Sequence, residues 1–505
     1  RGPSDVEKGA ASPIGRRSIP EAIRLLSLLV LGVCMALCGG TLYAFSAFEV
    51  ELMEQCRLSA QQLDSVYASG QLGVGCSILA GLLYDTCGPI ATSCYALVLS
   101  LVGNLGLVAA LDRDGCGGLP VLASFYFLLQ NGATALYQVG LFSNLRSAPP
   151  QSQGIVAGIV SAGYGLSAAC FTTAYAHVFD RRLGSYLRGC AAIFSATAIV
   201  GVVAIPGLLR RQGGKYGRLE DEAEPVEERG AGGSAGPKPV VIGSGTDGGG
   251  ELKSCAEGKS AATPSAAPLW ESLRAVDLWL FVASFALLQA VGSGVFIANL
   301  SLMSGSLGIL ASSRLSYVRI VSYCNCAGRF AAGCLMDLCE PLGMPREAHL
   351  LWTSVALGLV SGVLRLAPDA ALSALLFPAL IVVGAAYGAN WAVMPAFVAR
   401  RFGGAHVGVC FNLNSGCMSA VVVVVSSLVG GLYDRVAAAT SKEAAGGRAL
   451  AGGGGTEFCS GARCWRGAYN LGLCLSIAGF ATSLVLTCST RVRARAVAVV
   501  ESTET

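Results

Sequence analysis

Gly81-Leu82-Leu83-Tyr84-Asp85-Thr86-Cys87-Gly88-Pro89 joins two apolar runs, Val66–Tyr84 and Ile90–Leu111. Each run is close to the ~20 residues a helix needs to cross the hydrocarbon core of a bilayer. The join is short and carries a turn-forming Gly-Pro pair. The two runs therefore read as consecutive membrane spans of opposite direction. The same Gly-x-x-x-Asp spacing returns at Gly333 and Asp337, 252 residues further on, at the end of another apolar run, Tyr317–Met336.

This echo is one of five in the same order. Gly40 matches Gly294, Arg146 matches Arg400, and Gly154 matches Gly408, each at an offset of 254 residues. Phe179-Asp180-Arg181 matches Tyr433-Asp434-Arg435 at that offset too. Five ordered matches at nearly one offset describe an internal duplication. Counting apolar runs gives six spans per copy. The first copy has Leu25–Phe48, Val66–Tyr84, Ile90–Leu111, Val121–Phe142, Ile155–Ala176 and Leu187–Leu209. The second has Leu278–Leu302, Tyr317–Met336, Leu350–Ala367, Ala371–Phe397, Val407–Leu432 and Tyr469–Thr487. The fold class predicted is an all-α membrane protein, twelve transmembrane helices in two six-helix pseudo-repeats.

The halves are residues 25–209 and 269–487, between tails at 1–24 and 488–505. The segment 210–268 holds the acidic run Glu220-Asp221-Glu222-Ala223-Glu224 and much Gly, Ser and Pro. Such a composition cannot bury enough apolar surface to fold and reads as a flexible linker. A second polar insert, 435–466, contains Gly452–Gly455 and the pair Cys459/Cys464, for which a disulfide is expected if the loop meets an oxidising compartment.

Composition agrees. Of 505 residues, 53% are hydrophobic and 13% charged, against about 25% charged in soluble domains. Most of the twenty cysteines, among them Cys34, Cys38, Cys76 and Cys170, lie in apolar runs and read as small hydrophobes. His177, His349 and His406 are too scattered for a metal site. The net charge of +4 resides in loops and points to no nucleic-acid partner. A cleavable signal peptide is not expected, and the chain starts at Arg1 rather than Met, which leaves room for upstream sequence. Arg16, Arg17 and Arg24, then Arg210, Arg211 and Lys215, then Arg400 and Arg401, then Arg491, Arg493 and Arg495, all fall on one side of twelve spans. By the positive-inside rule that side, with both termini, is cytosolic. Arg181, Arg182 and Arg435 lie on the other side.

Two parallel six-helix repeats joined by a linker resemble the major facilitator transporters, in which the site forms between the halves near the midplane. The loop around Gly81, Asp85 and Gly88 resembles the motif between helices two and three of that superfamily. The basic residues usual in that loop are missing, which points to Arg146 or Arg400 as gate partners. More specifically the chain resembles the nodulin-like branch, through Gly40-Thr41-Leu42-Tyr43-Ala44-Phe45-Ser46, Ser143-Asn144-Leu145-Arg146, Gly154-Ile155-Val156-Ala157-Gly158 and Gly165-Leu166-Ser167-Ala168-Ala169. Tyr387-Gly388-Ala389-Asn390-Trp391 and Arg401-Phe402-Gly403 extend it into the second half. A more distant likeness, Asn325-Cys326-Ala327-Gly328-Arg329 with Gly333 and Asp337, is to oxalate/formate antiporters and monocarboxylate porters. That resemblance implies carboxylate binding by Arg329. It departs from the porters in having Asn325 where they have Asp, and from the oxalate carrier in lacking a cation in the eleventh helix.

Candidate site residues follow from polarity inside the spans. Arg329 sits roughly 10 Å deep at 1.5 Å per residue. A charge there faces a cavity or partner, and its fork suits a carboxylate. Its structural alternative is snorkelling or pairing with Asp337. The neutral candidates are Tyr43, Gln130, Asn131, Tyr137, Gln138, Gln289, Asn299, Asn325, Asn390, Trp391 and Asn412, each either pore-lining or helix–helix glue. Gly81, Asp85, Gly88, Arg146, Gly333, Asp337 and Arg400 are the gate candidates. No Asp or Glu lies deep inside a span, which fits a facilitator, an exchanger, or a symporter whose substrate helps carry the proton.

The function expected is secondary transport of a small organic solute by alternating access, an anionic metabolite such as a monocarboxylate being favoured. The expected partners are the lipid bilayer and that solute, the chain acting as a monomer without cofactor. A transporter-like sensor without turnover is the alternative. A channel fits less well, because a two-half repeat favours rocking over a fixed pore. A membrane enzyme lacks a nucleophile–base cluster, and an ATP-driven pump lacks a Gly-x-x-x-x-Gly-Lys loop.

Overall fold

The computed structural model describes residues 19–58, 60–210, 269–309, 311–402, 406–444, 459, 461 and 463–504. Residues 1–18, 211–268 and 445–458, which include most of the expected linker and much of the expected polar insert, lie outside the described residues. Among the described residues there is no strand. The first half comprises α1 (Ile19–Gly39), a 3₁₀ segment (Gly40–Ala47), α2 (Glu49–Cys56), α3 (Ala60–Gly75), α4 (Ile78–Leu111), α5 (Leu119–Ser147), α6 (Gln153–His177) and α7 (Leu183–Arg210). The second comprises α8 (Leu269–Arg274), α9 (Val276–Gln289), a π-helical segment (Ala290–Ile297), α10 (Leu300–Ser306), α11 (Ala311–Cys339), α12 (His349–Leu366), α13 (Leu372–Phe402), α14 (Val407–Ala444) and α15 (Arg463–Glu504).

Ten helical stretches among these are long and apolar enough to cross a bilayer. One, Ser65–Leu111, contains both the second and third expected spans. The expected eighth, Tyr317–Met336, falls in α11, whose Arg319, Arg329 and Asp337 lower its hydropathy. Its polar positions are tolerable because α11 packs against α6 and α13 rather than facing lipid alone. Large apolar side chains such as Leu79, Val203, Trp352, Leu359 and Val424 are exposed, as a lipid-facing surface requires.

The helices depart from the expected spans in three ways. The second span is broken between Gly75 and Ile78, where α3 ends and α4 begins. The chain then reverses inside α4 at Gly88, with φ 78° and ψ −172°, and Pro89 opens the returning helix. A left-handed φ is what a residue without Cβ adopts freely, and proline suits a first helical turn. Finally, α14 runs on to Ala444 rather than ending near Leu432, and α15 continues through Glu504.

Close glycine contacts seal the two halves together along two seams. On one, α6 meets α11: a Cβ on Gly333 would lie 2.5 Å from the Gly154 carbonyl, and one on Gly158 would lie 2.9 Å from the Arg329 carbonyl. On the other, α4 meets α14: a Cβ on Gly408 would meet the Gly81 carbonyl. These seams converge on the face that carries Asp85, Asp337 and the start of α1, called here the terminal face. Two disulfides lie on the opposite face. Cys459 is bonded to Cys464, and Cys56 at the end of α2 is bonded to Cys116 before α5, 60 residues away. The second bridge joins residues whose spacing carries no sequence signal.

Gly333→Ala is expected to lower the melting temperature of the purified protein, since overpacking costs about 1–3 kcal/mol. Gly207→Ala, where nothing lies within 4 Å of an added Cβ, is expected to leave it unchanged. Equal melting curves for the two variants would show that the α6–α11 seam has slack.

Candidate functional site

Two aspartates close the terminal face, each borrowed by the other half. Asp85, at the end of the second span, accepts hydrogen bonds from the backbone N–H groups of Gly408 (3.1 Å) and Val409 (2.8 Å) at the start of α14. Asp337, at the equivalent place in α11, accepts from Gly154 (2.9 Å) and Ile155 (2.6 Å) at the start of α6. The first amides of a helix lack intrahelical acceptors and sit at the positive end of its dipole, so a carboxylate is the natural cap.

Each cap has a cation. Arg146 lies 3.0 Å from Asp85 and stacks over the Tyr84 ring at 4.6 Å. Arg346 lies 3.1 Å from Asp337 and 2.9 Å from Glu340, and also donates to the Pro150 carbonyl across the seam. Arg400 reaches Glu340 at 3.2 Å and not Asp337. Of the two basic residues expected at the Asp85 loop, Arg146 therefore meets Asp85 and Arg400 does not, while Asp337 is met by Arg346 and not by Arg329. The available signal for Arg346 was its being the single basic residue between Cys339 and His349. A further cluster holds the ends of the second half together: wholly buried Asp277 lies 3.0 Å from both Arg401 and Arg493.

Between the halves, farther from the terminal face, is a narrow cavity of ≈ 30 Å³, with room for about two water molecules. Tyr43, Tyr164, Ser293, Tyr387, Trp391 and Ser419 are among its walls. Tyr43 in the first half and Tyr387 in the second share a hydrogen bond of 2.8 Å across it. The irregular segments of the first and seventh spans, the 3₁₀ turn and the π segment, flank it, and the repeat partners Gly40 and Gly294 lie in them. A Cβ on Gly40 would strike the Tyr164 carbonyl, so this position admits only glycine at the observed spacing. Irregular turns of this kind concentrate at functional places in helices.

Arg329 lies behind the aromatic wall and is 1% exposed. Its guanidinium carbon is 5.3 Å from the Tyr164 ring centre and 5.5 Å from that of Trp391. Nε donates to Asn325 Oδ1 at 2.8 Å, one turn earlier on α11. Nη2 has no hydrogen-bond partner, and no ion pair of Arg329 occurs among the described residues. Cation–π contacts partly offset the burial, but the charge is not neutralised. The indole Nε1 of Trp391 and the Ser419 hydroxyl are likewise buried without partners.

The remaining candidates divide. Tyr43 and Trp391 line the cavity, and Tyr137 packs on Tyr164 with ring centres 4.9 Å apart. Asn131 bonds the Gly73 carbonyl and Tyr95 and ties helices of the first half together. Asn299 bonds back to the Gly294 carbonyl of its own span. Gln130 is buried in α5 with its Oε1 unpaired. Asn390 accepts from Thr353 at 2.7 Å and approaches Gln289 within the second half. Gln138 and Asn412 bond each other across the halves. Tyr164 completes the Arg329 surroundings, and Tyr387 the cavity wall. Of the glycines flanking Tyr164, Gly165 brings α6 against Cys326 of α11 whereas Gly163 faces Val33 of α1, and neither marks Tyr164 in the sequence as functional.

A buried guanidinium with no counter-ion is a poor structural element. Even a buried ion pair can commonly be replaced by apolar side chains of similar volume at no cost or with a gain of about 1–4 kcal/mol, and a buried charge without a counter-ion has less to lose. Arg329→Met is therefore expected to melt at the same or a higher temperature than the parent protein without ligand. A clear fall in melting temperature would show that Arg329 holds the fold together.

Comparison with solved structures finds the same architecture. The proton:xylose symporter XylE bound to 6-bromo-6-deoxy-D-glucose aligns with TM-score 0.57 and 12% identity, over 91% of this chain and 95% of that one. FucP in its outward conformation aligns with TM-score 0.52 and 12% identity, over 93% and 99%. A bacterial homologue of the iron transporter ferroportin, in its outward-facing state, aligns with TM-score 0.58 and 13% identity, over 92% and 99%. At these identities the likeness is one of fold. No curated protein sequence matches the chain. The sequence description of the Major Facilitator Superfamily matches residues 29–426, which spans both halves, and the chain belongs to that superfamily.

Proposed function

We propose that this transporter carries a small organic anion, such as a monocarboxylate, by alternating access. Arg329 is the observation that supports the reading. A guanidinium bonded through Nε to Asn325, with Nη2 unpaired beside a central cavity, is arranged to receive a carboxylate when the aromatic wall yields. The wall itself, with Tyr43, Tyr164, Tyr387 and Trp391, would take the apolar body of the solute. The sugar symporters that share the fold do so at 12% identity and lend no weight to a sugar substrate. The nodulin-like branch, through Gly40–Ser46 and Tyr387–Trp391, is part of the same proposal.

The cavity is too small for a metabolite, and the terminal face is closed by the two capped seams. The conformation therefore supports a cycle in which the halves must part, on one face and then the other, to admit and release the solute. Both disulfides lie on the face opposite the basic helix ends. That placement supports a membrane between the cytosol and an oxidising compartment, with the termini in the cytosol.

The test is a thermal-shift screen of the purified protein against carboxylates, sugars and amines, with Arg329→Met alongside, followed by counterflow in proteoliposomes. Carboxylates are expected to raise the melting temperature of the parent and not of the variant. The active ones are expected to show saturable, counterflow-stimulated uptake. Neutral solutes that stabilise both proteins equally would refute the anion site. Binding without flux would replace the carrier by a sensor.

A further inference from the structure

Gln138, Asn412 and Ser77 form a sealed polar knot where the protein has least use for one. Gln138 on α5 donates from Nε2 to Asn412 Oδ1 (2.7 Å) and to Ser77 Oγ (3.0 Å). Asn412 on α14 returns a hydrogen bond from Nδ2 to Gln138 Oε1 (3.0 Å) and gives another to the Gly408 carbonyl (2.8 Å). Ser77, in the break between α3 and α4, has Oγ 2.7 Å from both the Val74 carbonyl and Asn412 Oδ1. Gln138 and Ser77 are wholly buried and Asn412 is 1% exposed. Every amide atom of the pair has a partner, in contrast with Arg329, Trp391 and Ser419 nearby.

The knot's position sets it apart from ordinary helix glue. Gln138 and Ser77 belong to the first half, Asn412 to the second. Asn412 lies one turn above the Asp85-capped start of α14 and two turns below Ser419 in the cavity wall. The knot is therefore a floor between the cavity and the terminal face. Gly81 makes room for it: a Cβ there would collide with Asn412 Nδ2. The other seam, between α6 and α11, brings its backbones together at the same level without a reciprocal amide pair.

We propose that the Gln138–Asn412 pair, steadied by Ser77, is the bolt that holds the terminal face shut and must part once in each transport cycle. The proposal rests on the alternating-access reading above. A paired amide in a low-dielectric seam is directional and satisfied, whereas in the opened seam both amides pass to water. Unlike the aspartate caps around it, the bolt carries no charge. Its strength therefore does not vary with pH in the working range or with salt. The three are positioning residues, acting through the docking of the halves rather than on the solute.

Cys410 is a native reporter: it is wholly buried in the first turn of α14, the turn that Asp85 of the opposite half caps. Cys190, buried in α7 away from the seam, is the reference. The experiment measures N-ethylmaleimide labelling of both in the purified full chain by peptide mass spectrometry. The variants are Ser77→Ala, Gln138→Leu, Asn412→Leu and the double variant Gln138→Leu/Asn412→Leu. The bolt predicts a rise in Cys410 labelling of about five- to tenfold, the weight of one or two net hydrogen bonds, with Cys190 unchanged. Ser77→Ala, the mildest change, should give a smaller rise. In the double variant, which refills the space with apolar groups and leaves neither amide unpaired, labelling should fall back toward the parental rate. A double variant that labels as much as the two single effects combined, a joint rise of both cysteines, or no rise at all would each overturn the bolt. Because labelling needs no solute, a bolt that passes this test while no solute is moved would locate the failure in the transport reading instead.

Discussion

The first peptide groups of α6 and α14 present N–H donors that their own helices cannot use, at a place where the halves press together and exclude water. Each set is met by an aspartate of the opposite half, Asp337 for α6 and Asp85 for α14. Much of the architecture serves that exchange. Glycines 81, 154, 333 and 408 bring the backbones close enough for the carboxylates to reach. Arg146 and Arg346 compensate the buried negative charge. Since the caps exist only while the halves are docked on this face, parting them exposes two carboxylates and two helix starts together, which makes closure cooperative.

The energetic character of the molecule changes with depth. At the terminal face the contacts between halves are ionic and capped. Below them, the Gln138–Asn412 pair is neutral and fully satisfied. At the cavity, satisfaction stops: Arg329 Nη2, Trp391 Nε1 and Ser419 Oγ are all buried without partners. Buried polar atoms without a protein partner also occur elsewhere, among them Asn104 Oδ1, Thr134 Oγ1 and Trp465 Nε1. What sets the chamber apart is that such atoms gather around a cavity between the halves, beside a guanidinium with no counter-ion.

The duplicated halves have also diverged where they meet the cavity. The first span overwinds into a 3₁₀ turn at Gly40, while its partner, the seventh, underwinds into a π segment around Gly294. The Arg329 arrangement exists in the second half alone. A symmetric scaffold thus holds an asymmetric chamber, with the tyrosine pair Tyr43–Tyr387 as its bond across the top.

Hydrophobic run length, the offset of about 254 residues and the Gly-x-x-x-Asp echoes were enough to read the helical membrane fold and its two-fold plan. Lipid imposes those signals locally, since every span must hide its own backbone along its whole length. The sequence also marked Arg329, because a lone cation deep in an apolar run is costly wherever it points. Partnership was not legible in this way. Asn131, Gln138 and Asn299 look alike as amides inside spans, yet one ties helices of its own half, one bolts the two halves, and one bonds its own helix. Of the gate partners offered for the Asp85 loop, Arg146 took the place and Arg400 went to Glu340; Asp337 met Arg346, and Cys56 found Cys116. Such pairings depend on how helices far apart in the chain dock, to within about an ångström of hydrogen-bond reach. Only the tertiary structure decides that.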